Sequence, residues 1–142
     1  MIEFRHVSFS YDFRGEQEDI RKKDSLRDIN LKVNDGECVL LCGKSGCGKT
    51  TITRLVNGLV PNFYTGKLTG EVLLDGRNIS EMPIYEVASH VGSVFQNPRT
   101  QFFNMDTDSE IAFGMENLAL PRKQIEEKVA LWTIFFNFFF YL

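Results

Sequence analysis

Three closely spaced glycines, between an apolar run and an amphipathic segment, constrain the fold of this chain more than any other feature. The apolar run is ECVLLC at residues 37–42, and the glycines are Gly43, Gly46 and Gly48. Glycines this close together cost conformational entropy on folding, so they indicate a backbone that must curl tightly or let another group come close. The sequence therefore predicts a strand, a tight loop and a helix in that order.

The segment after the glycines has the spacing of an amphipathic helix. Its apolar residues recur every three or four positions, and the helix is predicted to begin near Lys49 and to end at Gly58 and Pro61. The run before the glycines is almost continuously apolar, which is typical of a strand buried on both faces of a sheet. The apolar positions of the helix are Ile52, Leu55, Val56 and Leu59.

Before the glycine loop the polarity alternates, which predicts two further strands. Residues 2–11 place Ile2, Phe4 and His6 on one face, and residues 26–33 alternate in the same way. An Asn-Asp-Gly sequence directly after the second strand predicts a turn, because these residues tolerate positive φ.

Further elements are expected after the first helix. Residues 71–74 predict a strand that ends in the turn signal Asp75-Gly76, and residues 91–95 predict another short strand. The segment from 106 to 118 predicts a helix capped by Thr107 or Asp108. The remaining expectations are a surface loop at 12–24, a helix at 83–89 that begins with Pro83, and a helix from Pro121 with Ile125, Val129 and Trp132 on one face.

The composition excludes several classes of protein. A net charge of −3 with interspersed signs gives no reason to propose a nucleic-acid partner. The first residues lack the apolar core of a signal peptide, and no segment approaches the roughly 18–20 apolar residues that span a bilayer. The odd cysteine count, Cys38, Cys42 and Cys47, argues against a disulfide framework, and nothing favours zinc. We therefore expect a cytosolic chain with reduced thiols.

Residues 43–50 match GxxxxGK[ST], the pattern of a phosphate-binding loop. Its glycines let backbone N–H groups curl around a phosphate, and the positive end of the helix dipole points at the same anion. Lys49 is expected to reach the β- and γ-phosphates, Thr50 to ligate Mg²⁺, and Thr51 to add a phosphate contact. Cys47 is interpreted as a small filler or as a redox-sensitive thiol. The predicted nucleotide-binding residues here are Gly43, Lys44, Ser45, Gly46, Cys47, Gly48, Lys49, Thr50 and Thr51.

Several stretches around this loop carry a family resemblance. They are VSFSY (7–11), LRDINLKVNDGECVLLCGKSGCGKTT (26–51), TGEVLLDGRNI (69–79), VGSVFQNPRTQFF (91–103) and TDSEIAFGMENLALPRKQIEEKV (107–129). Together they resemble the N-terminal part of the ATP-binding subunit of an ABC transporter. The QNPxxQ form and FGMENLALP resemble the energy-coupling-factor subgroup, whose ATPases drive uptake of vitamins or transition-metal ions. The resemblance implies an α/β fold, an incomplete RecA-like P-loop NTPase core with an N-terminal antiparallel β subdomain.

The resemblance assigns roles to two further residues. Tyr11 matches the aromatic residue that stacks on adenine, and ordinary strand packing is the alternative. Gln96 matches the glutamine that contacts Mg²⁺ and the attacking water, and an exposed loop residue is the alternative. Lys49 and Gln96 are thus the expected catalytic residues, while residues 97–104 would lie towards a transmembrane subunit. Asp75 imitates a second Mg²⁺-binding motif, but its glycine neighbour favours a hairpin turn.

The family pattern stops within the chain. The sequence contains no LSGGQ-like signature, no apolar run ending in Asp-Glu and no histidine after His90, so we expect inefficient ATP hydrolysis. The resemblance covers residues 1–131, and residues 132–142 form an aberrant apolar tail. A membrane anchor and a buried helix end are two interpretations of this tail. A truncation or frameshift is favoured, because the residues are those of T- and A-rich codons.

The resemblance implies the ATP-binding subunit of an ABC-type importer. ATP with Mg²⁺ would lie between two such subunits, identical or paralogous, and its binding and hydrolysis would drive solute uptake through a transmembrane subunit. That partner would hold the chain at the cytoplasmic face of the cell membrane. Two other classes stay open. One is a different phosphate-loop protein, such as a nucleoside kinase or a GTPase, although the guanine-reading NKxD is absent. The other is a remnant too short to fold stably.

Overall fold

The computed structural model describes residues 1–12 and 25–140. The chain divides into two compact units, Met1–Ser93 and Val94–Leu142. The predicted surface loop at 12–24 lies, apart from Asp12, outside the described residues. The predicted boundary between residues 131 and 132 stays a prediction.

The first unit is built on a four-stranded antiparallel sheet. Its strands are β1 (Ile2–Tyr11), β2 (Leu26–Val33), β3 (Gly66–Leu74) and β4 (Arg77–Asn78), in the order β2-β1-β3-β4. The predictions for β1 and β2 are confirmed. The third strand begins at Gly66, well before the predicted start at residue 71, because β1 offers it hydrogen-bonding partners along its whole length.

An irregularity in β1 changes which of its residues face the core. The pairing register against β2 shifts between Phe4 and Val7, and His6 has a φ of 49°. Phe4, Val7 and Phe9 are consequently buried, so the strict alternation fails at the bulge. The prediction that His6 shares a face with Phe4 is wrong. His6 is exposed, and its Nδ1 lies 2.9 Å from a carboxylate oxygen of Asp28.

Helices cover one side of this core. They are α1 (Lys49–Val56), the short α2 (Leu59–Asn62) and α3 (Ile84–His90), with a 3-10 turn at Ile79–Glu81. The predicted helix from Lys49 is confirmed at its beginning, and the predicted short helix after Pro83 begins one residue later. The buried core consists of Phe4, Val7, Phe9, Leu26, Leu55, Val60, Val72, Leu74, Ile79, Met82 and Val87.

The predicted hairpin turn between β3 and β4 is confirmed. Asp75 and Gly76 have φ values of 50° and 83°, so both central residues are left-handed, as a two-residue hairpin loop requires. The carboxylate of Asp75 lies 2.6 Å from the Met1 nitrogen, and this hydrogen bond holds the pKa of Asp75 below its usual range. Asp75 is therefore a turn residue.

Two predicted strands are absent. Residues 37–42 and 91–95 belong to no strand or helix. Leu40, which was expected to be buried, is 84% exposed, and Val94 of the second segment is 88% exposed. A strand buried on both faces needs a hydrogen-bonded neighbour and covering layers. Within residues 1–12 and 25–140, no strand pairs with either segment. The apolar pattern alone is therefore not enough to form these strands.

The second unit contains a 3-10 turn at Pro98–Gln101 and two helices, α4 (Thr107–Asn117) and α5 (Arg122–Phe140). Asp106 caps α4, since its carboxylate accepts a 2.8 Å bond from the Ser109 N–H. The prediction of Thr107 or Asp108 as the cap is therefore wrong by one or two residues. Asp106 takes the position because it alone keeps an extended backbone, which a cap requires. The bonds from Ser109 also lower the pKa of Asp106.

Helix α5 continues through the predicted tail boundary. Ile125 and Val129 are half-buried, as expected for the apolar face, whereas Trp132 is exposed. Leu131 is also exposed, as are Ile134 and Phe135 of the predicted tail, whose interpretation stays a prediction. Among the helices of the described residues, none is long and apolar enough to cross a membrane.

Candidate functional site: the glycine loop and its neighbours

The glycine loop lies in the first unit, directly before α1. Residues 43–48 have no regular secondary structure, and φ reaches 79° at Gly46 and 99° at Gly48. Left-handed residues in such a loop turn backbone N–H groups inward, which is the geometry of anion-binding concavities. Gly48 also serves as the N-cap of α1. The predicted order of loop and helix is therefore confirmed.

Gly48 brings the start of α1 against the sheet. A Cβ atom at this position would lie 2.6 Å from the Ser25 carbonyl oxygen and 2.7 Å from a methyl carbon of Leu26. Ser25 is itself tied to the sheet, because its N–H donates a 2.8 Å bond to the carbonyl of Phe9. Only glycine fits this contact at this φ. The loop thus has a fixed position beside the beginning of β2.

The Lys49 side chain folds back into the loop. Its ammonium group donates to the carbonyl oxygens of Gly43 at 2.7 Å and Lys44 at 2.8 Å, and lies 3.6 Å from the Cys47 sulfur. The positive charge of Lys49 is therefore held beside the backbone of the glycine loop. Cys47, like Cys38 and Cys42, is an exposed free thiol.

The beginning of α1 is suited to an anion and a cation together. The first backbone N–H groups of a helix have no partners within the helix, and its dipole favours negative charge there. The first turn of α1 contains no acidic residue that would compete for these groups. Thr50 is exposed at this end and carries the hydroxyl predicted to ligate Mg²⁺. The donor set therefore fits a phosphate, and it offers one oxygen to a metal ion.

Tyr11 and Thr51 are brought together by the fold. Thr51 is 5% exposed, and its hydroxyl oxygen lies 3.2 Å from the Tyr11 hydroxyl. Tyr11 is the last residue of β1 and is half-buried. This contact joins the end of the central strand to the first turn of the loop helix. The predicted base-stacking residue and the predicted phosphate-binding residue are thus neighbours.

Arg54 and Tyr64 are two neighbours of Tyr11 that the sequence analysis missed. Arg54 donates a 3.1 Å bond to the Tyr11 hydroxyl, and its guanidinium carbon lies 3.8 Å from the centre of the Tyr64 ring. Arg54 follows Thr51 by three residues, so both lie on one helix face. That spacing was a usable signal. Nothing in the sequence indicated that Tyr64 would lie beside them.

Gln96 lies in the second unit and is exposed, in a segment without regular secondary structure. The following residues are organised locally: the Phe95 N–H donates to the Gln101 side-chain oxygen at 3.0 Å. Glu110 then accepts the backbone N–H groups of Asn104 at 2.8 Å and Phe103 at 3.1 Å. These bonds, that from Asn104 first, lower the pKa of Glu110. The catalytic role of Gln96 stays a prediction.

Relatives of the chain are ABC transporter proteins. The sequence profile described as ABC transporter matches residues 26–133, more than half of the chain. A protein of Treponema denticola named as an ABC transporter ATP-binding protein is 54% identical over 125 residues, 88% of this chain and 24% of that protein. Another so named, from Pyrococcus abyssi, is 41% identical over 134 residues, 94% of this chain and 45% of that protein. The chain thus spans less than half the length of these relatives.

A solved structure is similar in fold. It is an ATP-binding cassette determined as a dimer, in a post-hydrolysis state bound to ADP and Pi. The TM-score is 0.67 at 22% identity, over 92% of this chain and 54% of that chain. This likeness confirms the predicted fold class, an α/β P-loop NTPase fold of which the chain covers a part. With the profile and the relatives, it shows that the chain belongs to the family of ABC transporter ATP-binding domains.

Proposed function

We propose that this chain binds ATP with Mg²⁺ at the glycine loop, as the nucleotide-binding part of an ABC transporter ATPase. The observation that carries the proposal is the Lys49 ammonium group, held 2.7 and 2.8 Å from two carbonyls of a glycine loop that opens a helix. Charge, backbone donors and the helix dipole then act on one anion. Tyr11, tied to the same helix through Thr51, is the proposed platform for adenine.

The roles of the loop residues follow from their chemistry. Lys49 offsets the charge of the outer phosphates, and the backbone of residues 43–48 orients them. Mg²⁺, when bound, would offset further phosphate charge. Thr50 is the proposed oxygen ligand of that ion. Gln96 is the proposed second metal contact and the residue that orients the attacking water.

The proposed assembly is a pair of ATP-binding subunits beneath a transmembrane subunit. Its support is the family itself and the dimeric state of the similar solved cassette. Exposed apolar residues around the segment that follows Gln96 are of the kind found at protein interfaces. They are Val94, Phe95, Phe102, Phe103 and Met105. A position at the cytoplasmic face of the membrane, uptake as the direction of transport, and the energy-coupling-factor subgroup are parts of this proposal.

Hydrolysis is expected to be inefficient for the 142 residues alone. They contain no signature sequence, no apolar run ending in Asp-Glu and no switch histidine. Without the carboxylate that ends such a run, the proposed site has no general base for the attacking water. We therefore propose binding as the activity of this chain and hydrolysis as an activity of the complete subunit. ATPase turnover of ordinary family size by the purified chain would contradict the second statement.

Thermal unfolding with and without Mg-ATP tests the proposal. Ligand at about 100 times its Kd stabilises the folded chain by about 2.7 kcal/mol, so the melting temperature should rise by several degrees. The variant Lys49→Ala should lose this rise. Lys32→Ala, which removes an exposed lysine of β2, is the matched control and should keep it. A cooperative transition that ATP leaves unchanged would contradict the proposal, and the lack of any transition would favour an unstable remnant.

A further inference from the structure

The Tyr11 hydroxyl is held from two sides. Thr51 lies 3.2 Å away and Arg54 donates to it at 3.1 Å. A phenol hydroxyl with two partners fixes the long axis of its ring, so the free rotation expected of a residue at a strand end is lost. Both partners lie on α1, the helix that the glycine loop opens.

Arg54 is in turn fixed by an aromatic ring. Its guanidinium carbon lies 3.8 Å from the centre of the Tyr64 ring, within the range of a cation–π interaction. The Tyr64 ring also lies edge-on to Tyr11, with centroids 6.4 Å apart and planes at 85°. A planar guanidinium can stack on one ring while it donates to another, which an ammonium group does less well. Tyr64 therefore restricts Arg54, and Arg54 restricts Tyr11.

The Phe9 ring of the same strand also packs against Tyr11. The Phe9 ring lies edge-on to it, with centroids 4.7 Å apart and planes at 84°. Gly66, paired with Tyr11 across the sheet, permits this arrangement, since a Cβ atom there would lie 2.6 Å from the Phe9 ring. Two T-shaped ring contacts and two hydrogen-bond partners at the hydroxyl thus restrict the orientation of the Tyr11 ring.

From this arrangement we propose that Arg54 and Tyr64 are positioning residues for the nucleobase. They hold the Tyr11 ring in the orientation for stacking, and so raise the preference of the chain for a nucleotide over a polyphosphate without a base. The inference rests on the proposed function, because it takes ATP as the ligand and Tyr11 as its platform. A preformed ring costs less entropy on binding than one that must be ordered.

Direct contact of Arg54 with phosphate is the competing role for its charge. Arg54 lies five residues beyond Lys49, which at 1.5 Å per residue is about 7.5 Å further along the helix axis. Its guanidinium is already engaged by the Tyr11 hydroxyl and the Tyr64 ring. These contacts hold the positive charge of Arg54 beside the two tyrosine rings, whereas the Lys49 ammonium group lies in the glycine loop.

Comparison of two ligands separates these roles. The affinities of the full chain for Mg-ATP and for magnesium tripolyphosphate are measured by calorimetry for the wild type, Arg54→Met, Tyr64→Leu and Tyr11→Phe. Arg54→Met and Tyr11→Phe should weaken ATP binding about fivefold to tenfold, a fraction of the stacking energy of a base, and leave tripolyphosphate binding unchanged. Tyr64→Leu should act in the same direction but less strongly. Lys32→Met is the matched control for loss of a cation and should change neither affinity.

Each other outcome overturns a specific statement. Equal weakening for both ligands in Arg54→Met would show that Arg54 binds phosphate or merely maintains the fold. Unchanged ATP affinity in Arg54→Met and Tyr64→Leu would show that they do not position the platform. Tyr11→Phe keeps the ring and its packing, so it tests the hydroxyl even where another variant unfolds. A wild type that binds neither ligand would refute the proposed function, and this inference with it.

Discussion

Strand β1 alternates in polarity and residues 37–42 are almost continuously apolar, yet it is the less apolar segment that is buried. In β1, every second or third side chain enters the core, and Phe9 is 1% exposed. In residues 37–42 no strand forms, and Leu40 points away from any core. The two segments differ in their neighbours: β1 pairs with β2 on one side and β3 on the other. An apolar run thus shows that a segment can be buried, whereas its partners determine whether it is.

The first prediction concerns amide hydrogen exchange and has the largest expected effect. The amides of β1 that pair with β2 and β3 should exchange only through opening of the sheet, about 10³-fold or more slowly than in an unfolded chain. The amides of residues 38–42 should exchange within about tenfold of the unfolded rate, because no ladder protects them. Mass spectrometry of peptides from the two segments measures both. Equal protection in the two would contradict the comparison.

The second prediction truncates one apolar residue in each region. Phe9→Ala should lower the free energy of unfolding by about 3–5 kcal/mol, because it leaves a cavity in the core. Leu40→Ala should change it by less than about 0.5 kcal/mol, since the side chain is exposed. Urea unfolding of both variants measures the difference.

The conservative variant Phe9→Leu gives a measurable result even where Phe9→Ala fails to fold. It changes the shape of the buried side chain and should cost less than the alanine variant, about 1.5 kcal/mol. A loss in Leu40→Ala as large as that in either Phe9 variant would show that residues 37–42 pack against something after all.

The third prediction concerns the contact of the glycine loop, which follows residues 37–42, with the beginning of β2. Gly48→Ala places a methyl group 2.6 Å from the Ser25 carbonyl at a φ of 99°, so it combines a clash with backbone strain. Gly46→Ala has a similar φ of 79° but meets no atom within 4 Å, so it carries the strain alone. We expect both to be destabilised, Gly48→Ala by about 1–3 kcal/mol more. Equal melting temperatures for the two variants would refute the docking of the loop on β2.

The fourth prediction is the smallest and concerns pH. Arg77 of β4 and Glu86 of α3 form an ion pair, and the hydrogen bond from Arg77 lowers the pKa of Glu86 below its usual value of 4.5. The stabilisation is therefore present above about pH 4.5 and is lost as the pH falls through the lower folded-state pKa. Glu86→Gln should remove this pH-dependent stabilisation. The melting temperature of the variant should therefore fall less steeply below pH 4.5 than that of the wild type. A parallel decline in both proteins would contradict the contribution of this pair.

Local patterns were enough to predict the elements whose partners are near in sequence or whose turns are distinctive. Strand β1, the start of α1 at Lys49 and the hairpin at Asp75 all follow from residue types and spacing. The bulge at His6 could not be predicted, because an exposed histidine with positive φ leaves no mark in the polarity pattern. Residues 37–42 were mispredicted because a strand needs a hydrogen-bonded neighbour, and the polarity pattern of one segment gives no information about whether such a neighbour is present.

The same limit applies to the candidate site. The contact of Lys49 with its own loop is local, since the lysine and both carbonyl acceptors belong to the motif, whereas the phosphate contact predicted for its ammonium group stays a prediction. The contact of Arg54 with Tyr64 depends on where β3 begins, which the sequence analysis placed five residues too late. Contacts within one continuous segment can thus be predicted from the sequence. A contact between a helix and the residues that precede a strand can be found only once the fold is known.

The two hydrogen bonds from Lys49 to backbone carbonyls affect how phosphate binding at the proposed site would depend on salt. A phosphate that reaches this ammonium group exchanges neutral acceptors, the oxygens of Gly43 and Lys44, for charged ones. The number of hydrogen bonds made by the lysine stays nearly constant in such an exchange. The gain is then the difference between charge–dipole and charge–charge attraction, and mobile ions screen charge–charge attraction over about 8–10 Å. The affinity of the proposed phosphate site should therefore decline with ionic strength.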